Sequence, residues 1–159
     1  MVDPQQLRLA LREWASGVTI VTSRSGASVH GMTVSAFASV SLVPPLVLVC
    51  ADKASSTHAV IAEGGVFAVH VLGAEQQALS DLFADEAREE RRFEGLAWRS
   101  GATGAPILPG AVAVLDCRVE AAHDAGDHVI YVGRVAAVER AGGEPLLYHR
   151  GAYRGLASG

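Results

Sequence analysis

Short stretches that favour extended backbone follow one another along most of the chain, and this dense spacing constrains the fold most strongly. Val18–Thr22 is β-branched throughout, and Leu46–Cys50 is an unbroken apolar run. A third segment has one apolar side, because Ala113, Leu115, Cys117 and Val119 alternate with Val114, Asp116, Arg118 and Glu120. Segments of these three kinds are typical of strands. Roughly six or seven such strands, with few helices and no regular βαβ alternation, favour an antiparallel barrel over a doubly wound parallel sheet.

Turn residues set the limits of the predicted strands. Ser23–Ala27 predicts a turn after Val18–Thr22, and His123–Gly126 predicts a second turn late in the chain. Pro44 and Pro45 precede Leu46–Cys50, which we expect to be buried on both faces because it lacks any polar alternation. Further strands are expected from Val29 onward, at Val66–Leu72 and at Val129–Val138.

The predicted helices are few, and the clearest one opens the chain. Asp3 can cap the free backbone N–H groups, Pro4 suits the first helical position, and Gly17 offers a left-handed stop. The apolar face of this helix is formed by Leu7, Ala10, Leu11 and Trp14. Other helical segments are expected at Ser56–Glu63, Glu75–Phe83 and Asp85–Phe93, with a loop at Gly95–Gly110.

Composition and charge narrow the classes of partner. Half of the residues are hydrophobic (50%) and only 19% are charged, yet no apolar run reaches the roughly 18–20 residues of a membrane span. The net charge is −4, and the only cluster of basic residues is the mixed stretch Arg88–Arg92, so nucleic acid is not an expected partner. We expect one domain over residues 1–159, with small molecules or proteins as partners.

Two further features predict a cytoplasmic protein. The N-terminal residues lack the charged start and apolar stretch of a signal peptide. Cys50 and Cys117 lie far apart without the spacing of a metal site, so we expect two reduced, buried thiols. His123 and His128 flank a turn that contains two aspartates, but turn chemistry explains these residues without a metal.

The segment Met32–Leu42 has the pattern of a ligand-binding strand. Its even positions are apolar, and its odd positions are Thr33, Ser35, Phe37, Ser39 and Ser41. Small hydroxyl side chains allow backbone N–H and C=O groups to approach a flat heteroaromatic ligand. The alternative is a half-solvated strand that uses serine and threonine for solubility.

Cys50–His58 has the pattern of a phosphate site. Lys53 and three hydroxyl residues, Ser55 to Thr57, come together at the start of a predicted helix, where free N–H groups attract anions. The alternative is an ordinary helix cap formed by Ser55 or Ser56. The glycine-rich signatures of P-loop and Rossmann nucleotide sites do not occur in the sequence, so any nucleotide must be held by another kind of fold.

Two aromatic and basic segments are candidate ligand contacts. Arg91–Gly95 with Trp98 can offer charge and a ring to an anion, although a solvated helix end followed by a core tryptophan explains them as well. Tyr148–Tyr153 gathers aromatic and cationic side chains around Gly151, as stacking on a nicotinamide or an adenine requires. The alternative is a terminal strand whose aromatic side chains cover the barrel.

Taken in order, five segments resemble the short-chain flavin reductases, the reductase components of two-component flavin-dependent monooxygenases. The segments are Gly17–Thr22, Met32–Leu46, Lys53–His58, Gly126–His128 and Tyr148–Tyr153. The resemblance covers nearly the whole chain. It implies a homodimeric antiparallel split β-barrel with a few peripheral helices, which uses NADH or NADPH to reduce FMN or FAD.

The resemblance also implies roles for individual residues. The flavin would be bound by Thr33, Val34, Ser35, Ala36, Ser39, Val40, Cys50, Ala51, Asp52, Lys53, Ser56 and Thr57, with Phe83, Arg91 and Phe93 closing over it. The nicotinamide would face His128, Tyr148, His149, Arg150, Gly151 and Tyr153. His128 is the candidate catalytic residue, which positions the nicotinamide or stabilises charge on the reduced flavin.

Two functions therefore stand for testing. The first is an NAD(P)H:flavin oxidoreductase that passes reduced flavin to a partner monooxygenase. The second is a flavin-binding electron carrier on the same fold, which has no need of a nicotinamide face such as Tyr148–Tyr153. A homodimer would bury the weakly polar surface that the low charge content leaves.

Overall fold

The computed structural model of the chain describes residues 1–158, and most of its regular structure is antiparallel β-sheet. The helices are α1 (Pro4–Leu11), α2 (Ser56–Gly64) and α3 (Gln77–Ala84), with 3-10 helices at Ala74–Gln76 and Glu86–Arg91. The strands are β1 (Ser16–Gly17), β2 (Thr19–Ser25), β3 (Ser28–Val34), β4 (Phe37–Ser41), β5 (Leu46–Asp52), β6 (Val66–Val71), β7 (Arg99–Ser100), β8 (Pro106–Ile107), β9 (Ala113–Ala125), β10 (His128–Arg140), β11 (Leu147–His149) and β12 (Ala152–Arg154). None of the helices in residues 1–158 is long and apolar enough to cross a membrane. The prediction of a mainly β, antiparallel fold is confirmed.

The main sheet has seven strands in the order β3-β2-β6-β9-β10-β5-β4. Its two edge strands, β3 and β4, are consecutive in the chain and are joined only by Ser35 and Ala36. A second sheet has the order β1-β11-β12, and β7 pairs with β8. The C-terminal residues Tyr148–Tyr153 therefore lie in a different sheet from His128, which begins β10.

The core lies on both faces of β2, because successive side chains of a strand point in opposite directions. Val21 belongs to a cluster with Val49, Phe67 and Tyr131. Ile20 belongs to a second cluster, whose buried members also include Val18, Leu72, Phe83, Leu108 and Leu146. Full burial of a valine, leucine, isoleucine or phenylalanine side chain stabilises the fold by roughly 1.5–3 kcal/mol. The β-branched run Val18–Thr22 thus contributes side chains to both core clusters.

The N-terminal helix is shorter than predicted. It ends at Leu11, and Gly17 belongs to β1 instead of stopping the helix, whereas the Asp3 cap is confirmed. No residue of α1 is buried, and the exposed fractions of Leu7, Leu11 and Trp14 are 51%, 63% and 77%. The apolar side chains predicted for this helix are therefore uncovered in the single chain.

The segment Met32–Leu42 forms two strands, so the prediction of one continuous strand is wrong. The Phe37 N–H donates to the Ser35 carbonyl over 3.0 Å, which closes a tight turn between β3 and β4. Beyond this turn the buried face changes, because Phe37 packs on the core and Val40 is 48% exposed. The predicted alternation holds only as far as Val34.

The apolar run of β5 is buried on one face only. Val47 and Val49 are buried, whereas Leu46, Leu48 and Cys50 are half-buried. The prediction of burial on both faces is therefore wrong, because the structure covers the second face incompletely. Both cysteines are free, and the second, in β9, is buried as expected, but Cys50 is only half-buried.

Two hairpin turns are tighter than the sequence predicts. The β2–β3 turn is formed by Gly26 and Ala27, and the β9–β10 turn by Gly126 and Asp127. Positive φ angles of 56° at Gly26 and 68° at Gly126 suit such two-residue connections. Cross-strand pairing thus extends the strands through polar residues that we expected to lie in turns. The predicted loop Gly95–Gly110 contains the short β7–β8 hairpin.

Candidate functional site

The ends of two central strands bring several predicted site residues together. His128 at the start of β10 pairs with Asp52 at the end of β5, and the neighbouring pair is Val129 with Ala51. The chain leaves β5 at Asp52 and enters α2 at Ser56. Hence Cys50–Lys53 and the start of α2, where flavin is expected to bind, share one end of the sheet with His128.

The link between β3 and β4 lies beside this end of the sheet. The Cys50 N–H donates to the Ala36 carbonyl over 3.0 Å, which joins β5 to the link. Ser35, Ala36, Ser39 and Val40 are exposed. Small side chains therefore border a surface where backbone atoms are accessible to a flat ligand.

Two residues of the predicted flavin strand serve the fold. Thr33 is half-buried, and its hydroxyl donates to the Ser80 carbonyl of α3 over 2.6 Å. Val34 is 6% exposed and belongs to the core. Contact between these two residues and a ligand is therefore restricted mainly to their backbone atoms.

The start of α2 has the geometry predicted for an anion site. Ser55 is the N-cap, and its hydroxyl accepts from the His58 N–H over 3.1 Å. The Ser56 N–H donates to a carboxylate oxygen of Glu89 over 2.9 Å. The Thr57 hydroxyl is fully buried and has no hydrogen-bond partner within residues 1–158. The helix start and this unpaired hydroxyl fit a phosphate-bearing group, but the hydroxyl has no exposed surface in this conformation, and a carboxylate of the chain already contacts the Ser56 N–H.

Lys53, the single lysine of the sequence, is bound to the neighbouring β9–β10 hairpin. Its ammonium group donates to the Gly126 carbonyl over 2.6 Å and forms an ion pair with Asp124. Its backbone N–H donates to the Asp127 carbonyl over 3.0 Å. The side chain is 37% exposed, so Lys53 fixes the turn that presents His128 and still reaches the surface.

His128 is accessible and is oriented by its neighbour. Its side chain is 42% exposed, and Nδ1 lies 2.7 Å from a carboxylate oxygen of Asp127. The hydrogen bond from His128 lowers the pKa of the Asp127 carboxyl, so this carboxylate is charged at neutral pH. The turn pattern explains Asp127 only as a turn residue, although an acidic residue directly before a histidine in a tight turn also indicates such a contact.

The three residues predicted to close over the flavin have different environments. Phe83 is fully buried in the core, so in this conformation it has no surface to offer a ligand. Phe93 is half-buried, and its ring packs edge-on against Phe83 and Trp98 at centroid distances of 5.4 and 6.1 Å. Arg91 is exposed and forms an ion pair with Glu94. Phe83 can therefore support a ligand site only through Phe93.

The predicted nicotinamide segment forms the hairpin of β11 and β12. Arg150 and Gly151 have positive φ angles of 52° and 77° at its turn. Arg150 pairs with Glu13, which lowers the pKa of that carboxyl. The rings of Tyr148 and Tyr153 lie 5.4 Å apart between centroids.

Tyr153 connects this hairpin to α3. Its hydroxyl donates to Asp81 over 2.7 Å and lies 2.8 Å from the Ser80 hydroxyl. Within residues 1–158, no hydrogen bond, ion pair or aromatic pair joins Tyr148–Tyr153 to His128. The structure thus brings Ser35–Ala36, Cys50–Lys53 and the start of α2 close together, whereas Tyr148–Tyr153 and His128 lie in different sheets of the single chain.

Comparison with known proteins identifies relatives that match most of the chain. The model of the flavin reductase like domain matches residues 11–157. The FMN reductase (NADH) SmoA of Agrobacterium fabrum is 45% identical over 151 residues, which are 95% of this chain and 85% of that protein. The reductase subunit HsaB of a flavin-dependent monooxygenase of Rhodococcus jostii is 40% identical over 98% of this chain and 79% of its own length.

Solved structures lead to the same family. BorF, the flavin reductase component of a bacterial two-component tryptophan halogenase, is 43% identical and superposes with a TM-score of 0.90, covering 98% of this chain and 99% of its own. Both the matched domain and these relatives span nearly the whole sequence. The chain therefore belongs to the flavin reductase-like family.

Proposed function

We propose that this chain is a flavin reductase that oxidises NADH, reduces FMN or FAD, and supplies the reduced flavin to a partner monooxygenase. One observation carries the proposal: Ser35–Ala36, Cys50–Lys53 and the start of α2 lie at one sheet end, in a chain that matches the flavin reductase like domain over residues 11–157. The relatives named above reduce flavin with NADH or serve as reductase components of two-component enzymes.

The flavin ring would lie on the surface formed by Ser35–Ala36 and the end of β5, mainly against backbone groups. Burial raises the pKa of the half-buried Cys50 thiol, so this side chain is neutral there at physiological pH. The phosphate-bearing end would extend to the helix start at Ser56, provided that Glu89 leaves the Ser56 N–H, and towards the buried, unpaired hydroxyl of Thr57. Lys53 would add positive charge at the edge of this region.

The reaction requires orientation more than acid–base groups. Hydride passes from C4 of the nicotinamide to N5 of the flavin, and holding the two rings at reactive distance is worth roughly 7–11 kcal/mol. The protein therefore has to bind both rings and orient them. We assign the flavin side to the end of β5 and the nicotinamide side to His128 and Tyr148–Tyr153.

His128 is proposed to position the nicotinamide. Replacement by alanine removes an imidazole that Asp127 orients, so we expect kcat/KM for NADH to fall roughly tenfold or more while flavin binding changes little. His123→Ala, which removes an exposed histidine from the same hairpin, is the matched control. Turnover and KM for NADH equal to wild type in His128→Ala would remove this role.

A direct assay tests the function itself. The purified protein is mixed with FMN, FAD or riboflavin, and the loss of NADH and NADPH absorbance is followed. We expect flavin-dependent oxidation of NADH. Binding of flavin without nicotinamide oxidation would instead identify an electron carrier, and the absence of both would overturn the proposal.

We also propose that the active form is a cytoplasmic homodimer in which each chain is one split-barrel domain. The short link between the edge strands β3 and β4 favours a sheet that curls towards closure, and the exposed apolar residues of α1 with Trp14 favour pairing of two copies. Sedimentation of a dilute sample is expected to give twice the chain mass of 16.5 kDa. A stable particle of the single-chain mass would contradict the dimer.

A further inference from the structure

A glutamate of the chain contacts the start of α2, where a flavin phosphate is expected. Glu89 lies in the 3-10 helix Glu86–Arg91, far from α2 in sequence. Its Oε1 accepts a hydrogen bond from the Ser56 N–H over 2.9 Å. Glu89 is also the one half-buried residue of this 3-10 helix, whose other residues are all exposed. The contact is therefore specific to Glu89 among the several acidic residues of this segment.

Two other donors near this point also contact carboxylates of the chain. The carboxylate of Asp52 accepts from the Ala54 N–H over 2.8 Å, and the ammonium group of Lys53 pairs with Asp124. Thr57 stands apart, because its fully buried hydroxyl has no partner within residues 1–158. Carboxylates of the chain thus already contact the Ser56 N–H, the Ala54 N–H and the Lys53 ammonium group, which are donors that an incoming phosphate could use.

Glu89 can leave the helix start without disturbing the core. The segment is fixed at its ends, where Asp85 accepts from the Ala87 N–H over 3.0 Å and Arg92 donates to the Gly31 and Asp85 carbonyls over 2.8 and 2.9 Å. Between these anchors no residue is buried. Rotation of the Glu89 side chain alone therefore frees the Ser56 N–H.

We propose that Glu89 is a specificity-determining residue that competes with the flavin phosphate for the start of α2. This inference rests on the proposed flavin reductase function. A phosphate monoester carries a charge of about −1.5 to −2 near pH 7, so its approach requires the Glu89 carboxylate to move away. Riboflavin has no phosphate and leaves the contact intact. FMN carries such a monoester, and FAD carries a pyrophosphate, which is also anionic. The competition therefore weakens the binding of both, which favours release of the reduced flavin to the partner enzyme.

The test measures equilibrium binding separately from catalysis. Dissociation constants for FMN and riboflavin are determined by fluorescence titration with the wild type, Glu89→Gln and Glu90→Gln. Glutamine retains an oxygen that can accept from the Ser56 N–H, so the helix start remains capped. We expect Glu89→Gln to bind FMN about tenfold more tightly and riboflavin within about twofold of wild type.

Glu90→Gln removes the same charge from the adjacent, exposed position and is expected to leave the ratio of the two dissociation constants unchanged. Equal changes for FMN and riboflavin in Glu89→Gln, or no change for FMN, would overturn the competition while flavin reduction stands. An equal gain for FMN in Glu90→Gln would also overturn it, because a general charge effect would then suffice. Absence of NADH oxidation with every flavin would instead overturn the proposed function and this inference with it.

Discussion

Gly133→Ala is expected to lower the free energy of unfolding by about 3 kcal/mol, because the added methyl group has no room. A Cβ atom at this position would lie 2.4 Å from the Phe67 ring and 2.9 Å from Cβ of Cys117. Both neighbours are fully buried in the first core cluster, so neither can move aside without disturbing other packed residues. Urea unfolding at neutral pH measures the change.

Gly17→Ala is the matched control for this substitution. A Cβ atom at Gly17 meets nothing within 4 Å, and the residue does not have a positive φ. We expect its free energy of unfolding to stay within about 0.5 kcal/mol of wild type. If Gly133→Ala proved as stable as Gly17→Ala, the packing around Phe67 would have to be looser than the structure indicates.

Acidification is expected to destabilise the fold through His70. Both ring nitrogens of this buried side chain are engaged: Nε2 accepts from the Leu108 N–H over 3.0 Å, and Nδ1 lies 3.1 Å from the Ile20 carbonyl. Because Leu108 supplies a donor, Nδ1 carries the proton and the imidazole is neutral. Burial lowers the pKa of His70 from 6.5 to about 4.

The direction of the pH effect follows from these two values. The unfolded chain protonates His70 near pH 6.5, whereas the folded chain resists protonation until about pH 4. This contribution to stability is therefore complete above pH 6.5 and is lost as the pH falls towards 4. Between pH 7 and pH 4.5 the loss amounts to roughly 2–3 kcal/mol.

A His70→Gln variant isolates this contribution from the titration of carboxylates. Free energies of unfolding are measured for both proteins at pH 7 and pH 4.5, and the pH-dependent loss is compared between them. We expect the loss to be smaller in the variant by roughly 2–3 kcal/mol, whatever its stability at pH 7. Equal losses in the two proteins would show that His70 does not cause the acid sensitivity.

Local patterns were sufficient to predict the helix cap next to the proposed flavin site. Ser55 caps α2, as one of the two expected serines, because a cap depends only on residues within one helical turn. Lys53 lies at the same loop, yet it binds the β9–β10 turn by contacts with Asp124 and Gly126. No pattern within the loop could indicate that partner, because the pairing of β5 with β10 creates it.

Packing corrected several predictions that were made from alternation or aromatic content. Phe83 has the character of a ligand-closing ring, but α3 carries it into the core next to Phe93. Val40 fits an apolar face, but the tight turn at Ser35 exposes it. In both cases the side chain's environment depends on where its element is placed.

The sequence by itself determined the positions of most of the longer strands, the cap of α2 and the order of segments that identifies the family, because these depend on neighbours a few residues away. Only the tertiary structure revealed the hydrogen bonds from the Ser56 N–H to Glu89 and from the Leu108 N–H to His70. It also showed that Tyr148–Tyr153 and His128 lie in different sheets. Such contacts connect residues that are distant in the chain, so sheet order and side-chain packing decide them. The charges and hydrogen bonds around the proposed flavin site are long-range contacts of this kind, so the tertiary structure alone reveals them.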